Sequence, residues 1–357
     1  MQSSMERREN IDWIAKTKGF AILGIVAVHT VQQFDVHNGI TRMADAGRYC
    51  VQLFFIISAF LIFKSLASRS VESWTIKDYL KFLLYKITRL IPVLYLTILW
   101  NLIMYFLSIG EIPSIADDIW KKALFPALFI NGFSYEYFNP WMTWYIGVLV
   151  MFYAIAPLLF RFIDSAKKSI IFFVLAAFFG WLLNYILVSF CGVMSDDWFF
   201  YGWLPRQLPV FALGIILYHL YKAPSLHDIR YSIATFAFVF AVGFLLSMCA
   251  FTSPLELHVR YGILLLLFSI TLFSHLKIKL DWLNHLGNCS YGIYLFHGCI
   301  ISVLNLLMNA FGIFRNATWV FFIYYILMVV LSFFVAKIVN ILIEKPFFSM
   351  MNRKLGV

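Results

Sequence analysis

Long apolar segments, each bounded by charged residues, proline or glycine, follow one another along almost the whole chain. A helix needs about 20 mostly apolar residues to cross the hydrocarbon core of a bilayer. The runs are continuous rather than alternating, which favours helices over the strands of a membrane barrel. The sequence therefore predicts an all-α fold, a polytopic membrane helix bundle with about ten transmembrane helices. The predicted spans cover approximately residues 17–35, 48–64, 90–109, 140–160, 169–190, 205–221, 231–251, 260–276, 289–309 and 319–343.

Composition excludes a soluble globular protein. The chain is 62% hydrophobic and 13% charged, whereas a soluble domain is about half apolar and about a quarter charged. The net charge of +10 comes from short clusters between the apolar runs. Because these clusters form no single basic surface, we reject nucleic acid as a partner and expect membrane lipid and an anionic cofactor instead. The five cysteines are scattered and show no metal-ligand spacing, so neither a metal site nor a disulfide framework is predicted.

The distribution of lysine and arginine predicts the orientation of the spans. An even number of spans places both termini on one side of the membrane. With the N-terminus in the cytoplasm, about three quarters of the 28 Lys and Arg residues lie on the cytoplasmic side. The positive-inside rule therefore favours a multi-pass protein of the inner (plasma) membrane with both termini cytoplasmic. No small-residue cleavage site follows the first apolar run, which indicates a retained span. Since no repeat or linker is visible, we expect one domain over residues 1–357.

His29 lies within the first apolar segment, eleven residues after Lys18. At about 100° and about 1.5 Å per residue, the two residues share one helix face and stand roughly 16 Å apart along the axis. With Lys18 at the membrane surface, His29 lies near the middle of the bilayer. An ionisable side chain is costly at that depth, so His29 is a candidate for function. The alternative is a histidine that only packs helices together through a hydrogen bond.

Lys86 and Arg89 form a second basic group, about one helical turn apart and just before Pro92. Two cations on one helix face at the cytoplasmic mouth of a span suit the phosphates of a cofactor. The alternative is a plain positive-inside anchor. The connection that contains them, residues 65–89, ends in a pattern typical of an amphipathic helix at the membrane interface. The outward loop 110–140 carries acidic and aromatic residues that suit either contacts to a sugar or an interfacial aromatic belt.

Further motifs are spread over the later spans. They are Ser58-Ala-Phe-Leu, Trp141-Met-Thr-Trp-Tyr145 with Phe152-Tyr153 and Pro157, the stretch from Ser290 to His297, and Glu344-Lys-Pro346. Taken together with the two basic groups, their order along the chain resembles that of acyltransferase family 3, a family of integral-membrane acyltransferases with ten spans, from Ile11 to Phe347. The sequence departs from the family's usual pattern by having Lys18 and Lys86 in place of arginine, and Ala59 in place of glycine. Lysine keeps the positive charge but lacks the planar fork of arginine.

The resemblance implies an O-acyltransferase that moves an acyl group, usually acetyl, from cytoplasmic acyl-CoA (acetyl-CoA) to a hydroxyl of a cell-envelope glycan. The expected acceptor is a polysaccharide or a lipid-linked oligosaccharide, and no metal is implied. The implied general base is His29, and an acyl-histidine intermediate is an open alternative. The groups implied to hold the CoA phosphates are Lys18, Lys86 and Arg89. The groups implied to donate to the oxyanion are Ser58, Tyr145 and His297, and the alternative for His297 is a helix-packing role.

Two other functions are compatible with the hydropathy of the chain. One is a transporter or flippase for a lipid-linked glycan or an acyl group, but repeat symmetry and paired broken helices are absent from the sequence. The other is a glycan polymerase, which usually presents a large outward loop, whereas residues 110–140 form only a modest one. Acyl transfer from labelled acetyl-CoA separates the leading hypothesis from the transporter.

Overall fold

A computed structural model describes residues 2–110, 114, 117–191, 201–222, 254–270, 279–313 and 315–355. Within these ranges the regular secondary structure is entirely helical, which confirms the predicted all-α fold for this part of the chain. The α-helices are α1 (Gln2–Val31), α2 (Gly39–Asp45), α3 (Val51–Leu66), α4 (Ile76–Thr88), α5 (Ile91–Ile109), α6 (Asp118–Ala127), α7 (Trp144–Phe162), α8 (Ala166–Cys191), α9 (Leu204–Lys222), α10 (Pro254–Ser269), α11 (Asp281–Asn288), α12 (Ser290–Ala310), α13 (Thr318–Val339) and α14 (Lys345–Leu355). A π-helical turn, Asn340–Glu344, joins the last two.

Seven stretches of the described residues are long and apolar enough to cross a membrane. They are Trp13–Val31, Gly39–Leu66, Ile91–Ile109, Trp144–Phe162, Ala166–Cys191, Ser290–Ala310 and Thr318–Lys354. The seven spans overlap seven of the predicted ones, so the predicted number of about ten is confirmed only in part. Helix α9 covers the predicted span 205–221 but is not among the seven, because Arg206, Gln207 and Lys222 lower its hydropathy. The predicted span 231–251 lies outside the described residues, and the span 260–276 is described only as far as residue 270.

The chain forms two compact units, and the expectation of one domain over residues 1–357 stays a prediction. The first unit comprises residues 1–18, 49–75 and 151–284. Within it, α9 packs against α3, α8 and α10. The contact with α3 is close, since a Cβ atom on Gly214 would lie 2.1 Å from the carbonyl oxygen of Ile56. Glycine is therefore required at this helix crossing.

The second unit carries the elements that matter most for function. It comprises residues 19–48, 76–150 and 285–357. Helix α12 packs against α13 and α5, and the π-helical turn after α13 packs against α5 and α14. A Cβ atom on Gly292 would lie 2.8 Å from the Cβ atom of Ala336, so small residues let α12 and α13 approach closely. The corner between α4 and α5 is tied to α12, because the Tyr291 hydroxyl donates to the Leu90 carbonyl oxygen at 2.6 Å.

Helix α4 confirms the predicted helix at the end of the connection 65–89. Its residues Ile76, Leu80 and Leu84 follow one another at intervals of four and are exposed, whereas Phe82 is buried. An exposed apolar stripe of this kind is typical of a helix that lies in a membrane interface. The interfacial position of α4 stays a prediction.

The loop 110–140 contains a helix, α6, that the sequence analysis did not predict. Asp118 at its start accepts a hydrogen bond from the Tyr137 hydroxyl at 2.6 Å and pairs with Lys122 at 2.9 Å. These two partners, the tyrosine first, hold the pKa of the Asp118 carboxyl below its usual value. In return, the carboxylate raises the pKa of the Tyr137 hydroxyl. This ion-pair network fastens the end of the loop to its first helix, while sugar contacts by the loop stay a prediction.

Candidate active site

His29 stands three residues from the end of α1, a continuous helix of 30 residues. Because the helix is unbroken, Lys18 and His29 keep the spacing that the sequence predicts. The imidazole is partly exposed, and its Nδ1 lies 2.9 Å from Oε1 of Gln32. An amide oxygen only accepts hydrogen bonds, so this contact assigns the proton to Nδ1. The lone pair of Nε2 is then left for another partner.

His297 belongs to α12 and is fully buried. Its ring centroid lies 4.9 Å from that of His29, and the two ring planes are tilted by 34°. Its Nδ1 donates to the carbonyl oxygen of Tyr294, one turn earlier in the helix. Among the described residues, its Nε2 has no hydrogen-bond partner. With Nδ1 protonated, Nε2 of the neutral ring is a hydrogen-bond acceptor. The proposed role of His297 as an oxyanion donor stays a prediction.

Tyr145 is joined to the histidine pair through one other aromatic ring. Its ring centroid lies 5.3 Å from that of Tyr294, which in turn lies 5.8 Å from that of His297. The Tyr294 hydroxyl donates to the carbonyl oxygen of Met142 at 2.9 Å. Met142 and its neighbour Trp141 both have left-handed backbone, with φ of 62° and 52°. Such residues cost about 1 kcal/mol or more each and cluster near active sites, so the turn before α7 is held here against a local preference.

The predicted phosphate-binding residues Lys86 and Arg89 lie together at the corner between α4 and α5. The Arg89 guanidinium is exposed and lies over two rings, Tyr85 at 5.6 Å and Phe348 of α14 at 5.7 Å. The Lys86 ammonium lies over the Phe82 ring at 5.4 Å. An aromatic ring thus contacts each of the two cations. The corner therefore offers two positive groups that suit an anionic ligand.

Two further predicted site residues belong to the first unit. Ser58 is a partly exposed residue of α3, and Lys18 is a partly exposed residue near the middle of α1. Their proposed roles, as oxyanion donor and phosphate ligand, stay predictions. The structure brings His29, His297 and Tyr145 together through Tyr294, and it brings Lys86 and Arg89 together.

Sequence reasoning missed several residues that the structure singles out. Gln32, the partner of His29, follows it by three residues, so helical spacing was a usable signal. Arg206 is a fully buried arginine near the start of α9, and its place at the end of a predicted span gave no signal of that burial. Glu344 was noted only as part of a terminal motif, but it is buried in the π-helical turn and accepts from the Asn340 amide at 2.8 Å. No sequence signal predicts the contact of Tyr294 with Met142, which are 152 residues apart.

The chemistry open to this arrangement is proton transfer. Each imidazole of the pair donates through Nδ1, so each keeps a lone pair on Nε2. A neutral imidazole is the usual side chain that accepts a proton near neutral pH. Among the described residues, no group of three or more His, Cys, Asp or Glu side chains is placed to hold a metal ion.

Comparison with known proteins adds two findings. A family model described as an acyltransferase domain matches residues 11–337, a range that includes both histidines and both cations of the α4–α5 corner. A protein of Acidianus two-tailed virus named "Putative acetyltransferase ORF330" is 26% identical over 306 residues, which are 84% of this chain and 86% of that protein. No solved structure matches the chain significantly.

Proposed function

The chain belongs to acyltransferase family 3, and we propose that it transfers an acyl group, acetyl in the first place, from cytoplasmic acyl-CoA to a hydroxyl of a cell-envelope glycan. Family membership and the apolar helices make it a multi-pass membrane acyltransferase. The proposal also includes location in the plasma membrane and cytoplasmic termini. Its acceptor is a polysaccharide or a lipid-linked oligosaccharide. The observation that carries it is the His29 imidazole, oriented by Gln32 and lying 4.9 Å from a buried second imidazole.

In this proposal Lys86 and Arg89 bind the phosphates of CoA. Their charges lie at the end of α4, in the part of the chain that the positive-inside rule assigns to the cytoplasm. Arginine pairs with phosphate through two parallel hydrogen bonds, and lysine through a point charge. Lys18 is proposed as a third ligand, and about 16 Å of helix separates it from His29. The acyl thioester is then delivered along α1 toward the imidazole.

His29 acts as the general base of the transfer. Nε2 takes the proton of the acceptor hydroxyl as the oxygen attacks the thioester carbonyl, and a tetrahedral intermediate forms. Tyr145 and Ser58 are the proposed donors to its oxyanion. When the carbon–sulfur bond breaks, the proton on Nε2 passes to the departing thiolate, so that the products are an ester and free CoA. Gln32 supports this cycle because it holds the Nδ1 proton and thereby keeps Nε2 as the reactive nitrogen.

The experiment uses purified full-length protein with labelled acetyl-CoA and isolated envelope polysaccharide. We expect the wild type to transfer the label and His29→Ala to lose about 10² to 10⁴ of the rate, the usual contribution of a general base. His219→Ala is the matched control, because His219 is also a helical, partly exposed histidine and its Nε2 donates to a carbonyl oxygen of Ile163 at 3.0 Å. Full activity of His29→Ala would overturn the proposal. Movement of the glycan across vesicles without transfer of label would favour the transporter.

A further inference from the structure

A continuous chain of hydrogen bonds crosses three helices beside His29. The Tyr324 hydroxyl of α13 donates to Oδ1 of Asn305 in α12 at 3.0 Å. Nδ2 of Asn305 donates to Oε1 of Gln33 at 2.8 Å. Nε2 of Gln33 donates to the carbonyl oxygen of His29 at 3.2 Å. We call Gln33, Asn305 and Tyr324 the amide clamp; all three belong to the second unit.

The clamp replaces a hydrogen bond that the end of α1 lacks. The last four carbonyl groups of a helix have no partner within it. Here the backbone N–H groups of Gln32, Gln33 and Phe34 donate to the carbonyl oxygens of Val28, Thr30 and Val31, respectively. The N–H of Gln33 therefore donates to Thr30 and not to the His29 carbonyl oxygen, its usual partner in an α-helix. The Gln33 side chain donates to that carbonyl instead, so the clamp holds the backbone of His29 itself.

The middle member of the clamp, Asn305, lies in the helix that carries the second imidazole. Asn305 lies eight residues after His297 in α12, and Gln33 lies four residues after His29. The pair of rings and the pair of amides thus connect the same two segments at two successive points. The third member, Tyr324, is buried, and its ring meets that of Phe34 at 5.3 Å. Two fixed points restrain rotation of the end of α1, which one contact alone would permit.

We propose that the amide clamp positions His29 against His297, and that its three members are positioning residues of the acyl transfer. The inference rests on the proposed function of His29 as general base. A shift of about 1 Å in a catalytic group lowers the rate by about 100-fold, so a loosened clamp lowers kcat. The KM for acyl-CoA stays constant, because the clamp does not include the cations at the α4–α5 corner.

A plain helix-packing role is the competing explanation, since amide and hydroxyl side chains join membrane helices generally. The chain offers a matched control for it. Tyr325, the next residue of α13, donates its hydroxyl to the Leu23 carbonyl oxygen of α1 at 3.2 Å. Tyr324→Phe and Tyr325→Phe each remove one hydroxyl from the same helix, and each removes a link toward α1. Of these two tyrosines, Tyr324 is the one that the amide clamp joins to the His29 carbonyl oxygen.

The test compares full-length wild type, Tyr324→Phe and Tyr325→Phe with labelled acetyl-CoA. We expect kcat of Tyr324→Phe to fall about 10-fold or more at constant KM, and Tyr325→Phe to stay within about 3-fold of the wild type. Gln33→Asn and Asn305→Gln should each lower kcat, and their combination should restore part of it, because the summed length of the two amides is kept. Equal losses in the two tyrosine variants, or a change in KM alone, would overturn the inference.

A readout that does not depend on turnover separates this inference from the proposed function. Diethyl pyrocarbonate modifies exposed imidazole nitrogens, and mass spectrometry follows the rate at His29. We expect faster modification in Tyr324→Phe than in Tyr325→Phe, since a released His29 imidazole leaves its position beside His297. Absence of acyl transfer in the wild type would refute the proposed function. The rate of modification at His29 would still show whether the amide clamp positions the imidazole. Equal rates in both variants would refute the clamp even where His29→Ala abolishes transfer.

Discussion

Replacing His297 by leucine should leave the protein at least as stable as the wild type while lowering its activity. Nε2 of His297 is buried and lacks a hydrogen-bond partner among the described residues. A buried polar group in that state costs about 1–3 kcal/mol, and the change removes this cost. The change also removes the Nδ1 bond to the Tyr294 carbonyl, worth about 0.5–1.5 kcal/mol. The net effect on the free energy of unfolding ranges from about −0.5 to about +2.5 kcal/mol, and at the midpoints of the two ranges it is a gain of about 1 kcal/mol.

The activity should move in the opposite direction. Leucine fills a similar volume but has no lone pair, so the imidazole that His29 meets at 4.9 Å is lost. We expect the rate of acyl transfer to fall about 10-fold or more. His297→Ala serves as the comparison, because it removes the same nitrogens and also leaves a cavity. Its free energy of unfolding should be about 2–5 kcal/mol lower than that of His297→Leu.

The assay follows thermal unfolding in detergent together with transfer of label from acetyl-CoA. A drop in stability of His297→Leu as large as that of His297→Ala would mean that Nε2 has a strong partner in the folded protein. Wild-type activity of His297→Leu would mean that the second imidazole plays no part in the reaction. Either result would refute the reasoning.

Two further predictions concern other parts of the second unit. Phe348→Leu should raise the KM for acyl-CoA about 2- to 5-fold at constant kcat, because the Arg89 guanidinium loses one of its rings and a contact of this kind is worth about 0.5–1 kcal/mol. Phe348→Tyr keeps the ring and should behave like the wild type. An unchanged KM in Phe348→Leu would contradict the role of the ring. Asp118→Asn should loosen the loop that Tyr137 fastens to α6, as measured by hydrogen exchange of residues 118–137. Because the folded pKa of Asp118 is lowered, its contribution to stability is present above the unfolded pKa of about 3.9 and is lost as the pH falls through the folded pKa. The difference in hydrogen exchange between Asp118→Asn and the wild type should therefore disappear in acid. A difference that stays constant with pH would contradict this role of Asp118.

Local periodicity predicted the individual helices well, but not their mutual contacts. The apolar second half of α1 lies in the predicted span 17–35, and the spacing of Lys18 and His29 follows from it. The polar stretch Gln2 to Lys16 is helical too, but the sequence analysis did not predict a helix there. The contact of His29 with His297 does not follow, because the two residues are 268 positions apart in the sequence and only packing brings them together. The sequence did not predict the turn at Trp141 and Met142, for a different reason. Two successive non-glycine residues with left-handed backbone contradict local preference, and the structure maintains them where the Tyr294 hydroxyl binds the Met142 carbonyl.

Buried polar residues of the second unit fall into two kinds, and the difference indicates where chemistry occurs. Asn131 is buried and donates to the carbonyl oxygens of Phe138 and Thr143 at 3.0 and 3.2 Å. Such a satisfied amide fixes the backbone around it, so its loss should destabilise the fold. His297 is equally buried, but it uses one nitrogen for structure and keeps the other without a partner beside a second imidazole. An uncompensated nitrogen lowers stability and persists where activity requires it. Ser332 and Trp100 of the same unit also carry a buried atom without a partner among the described residues, so the unpartnered atom alone does not choose the site. His297 has in addition a second imidazole at 4.9 Å, and this pairing is why we propose the histidine pair as the site of the reaction.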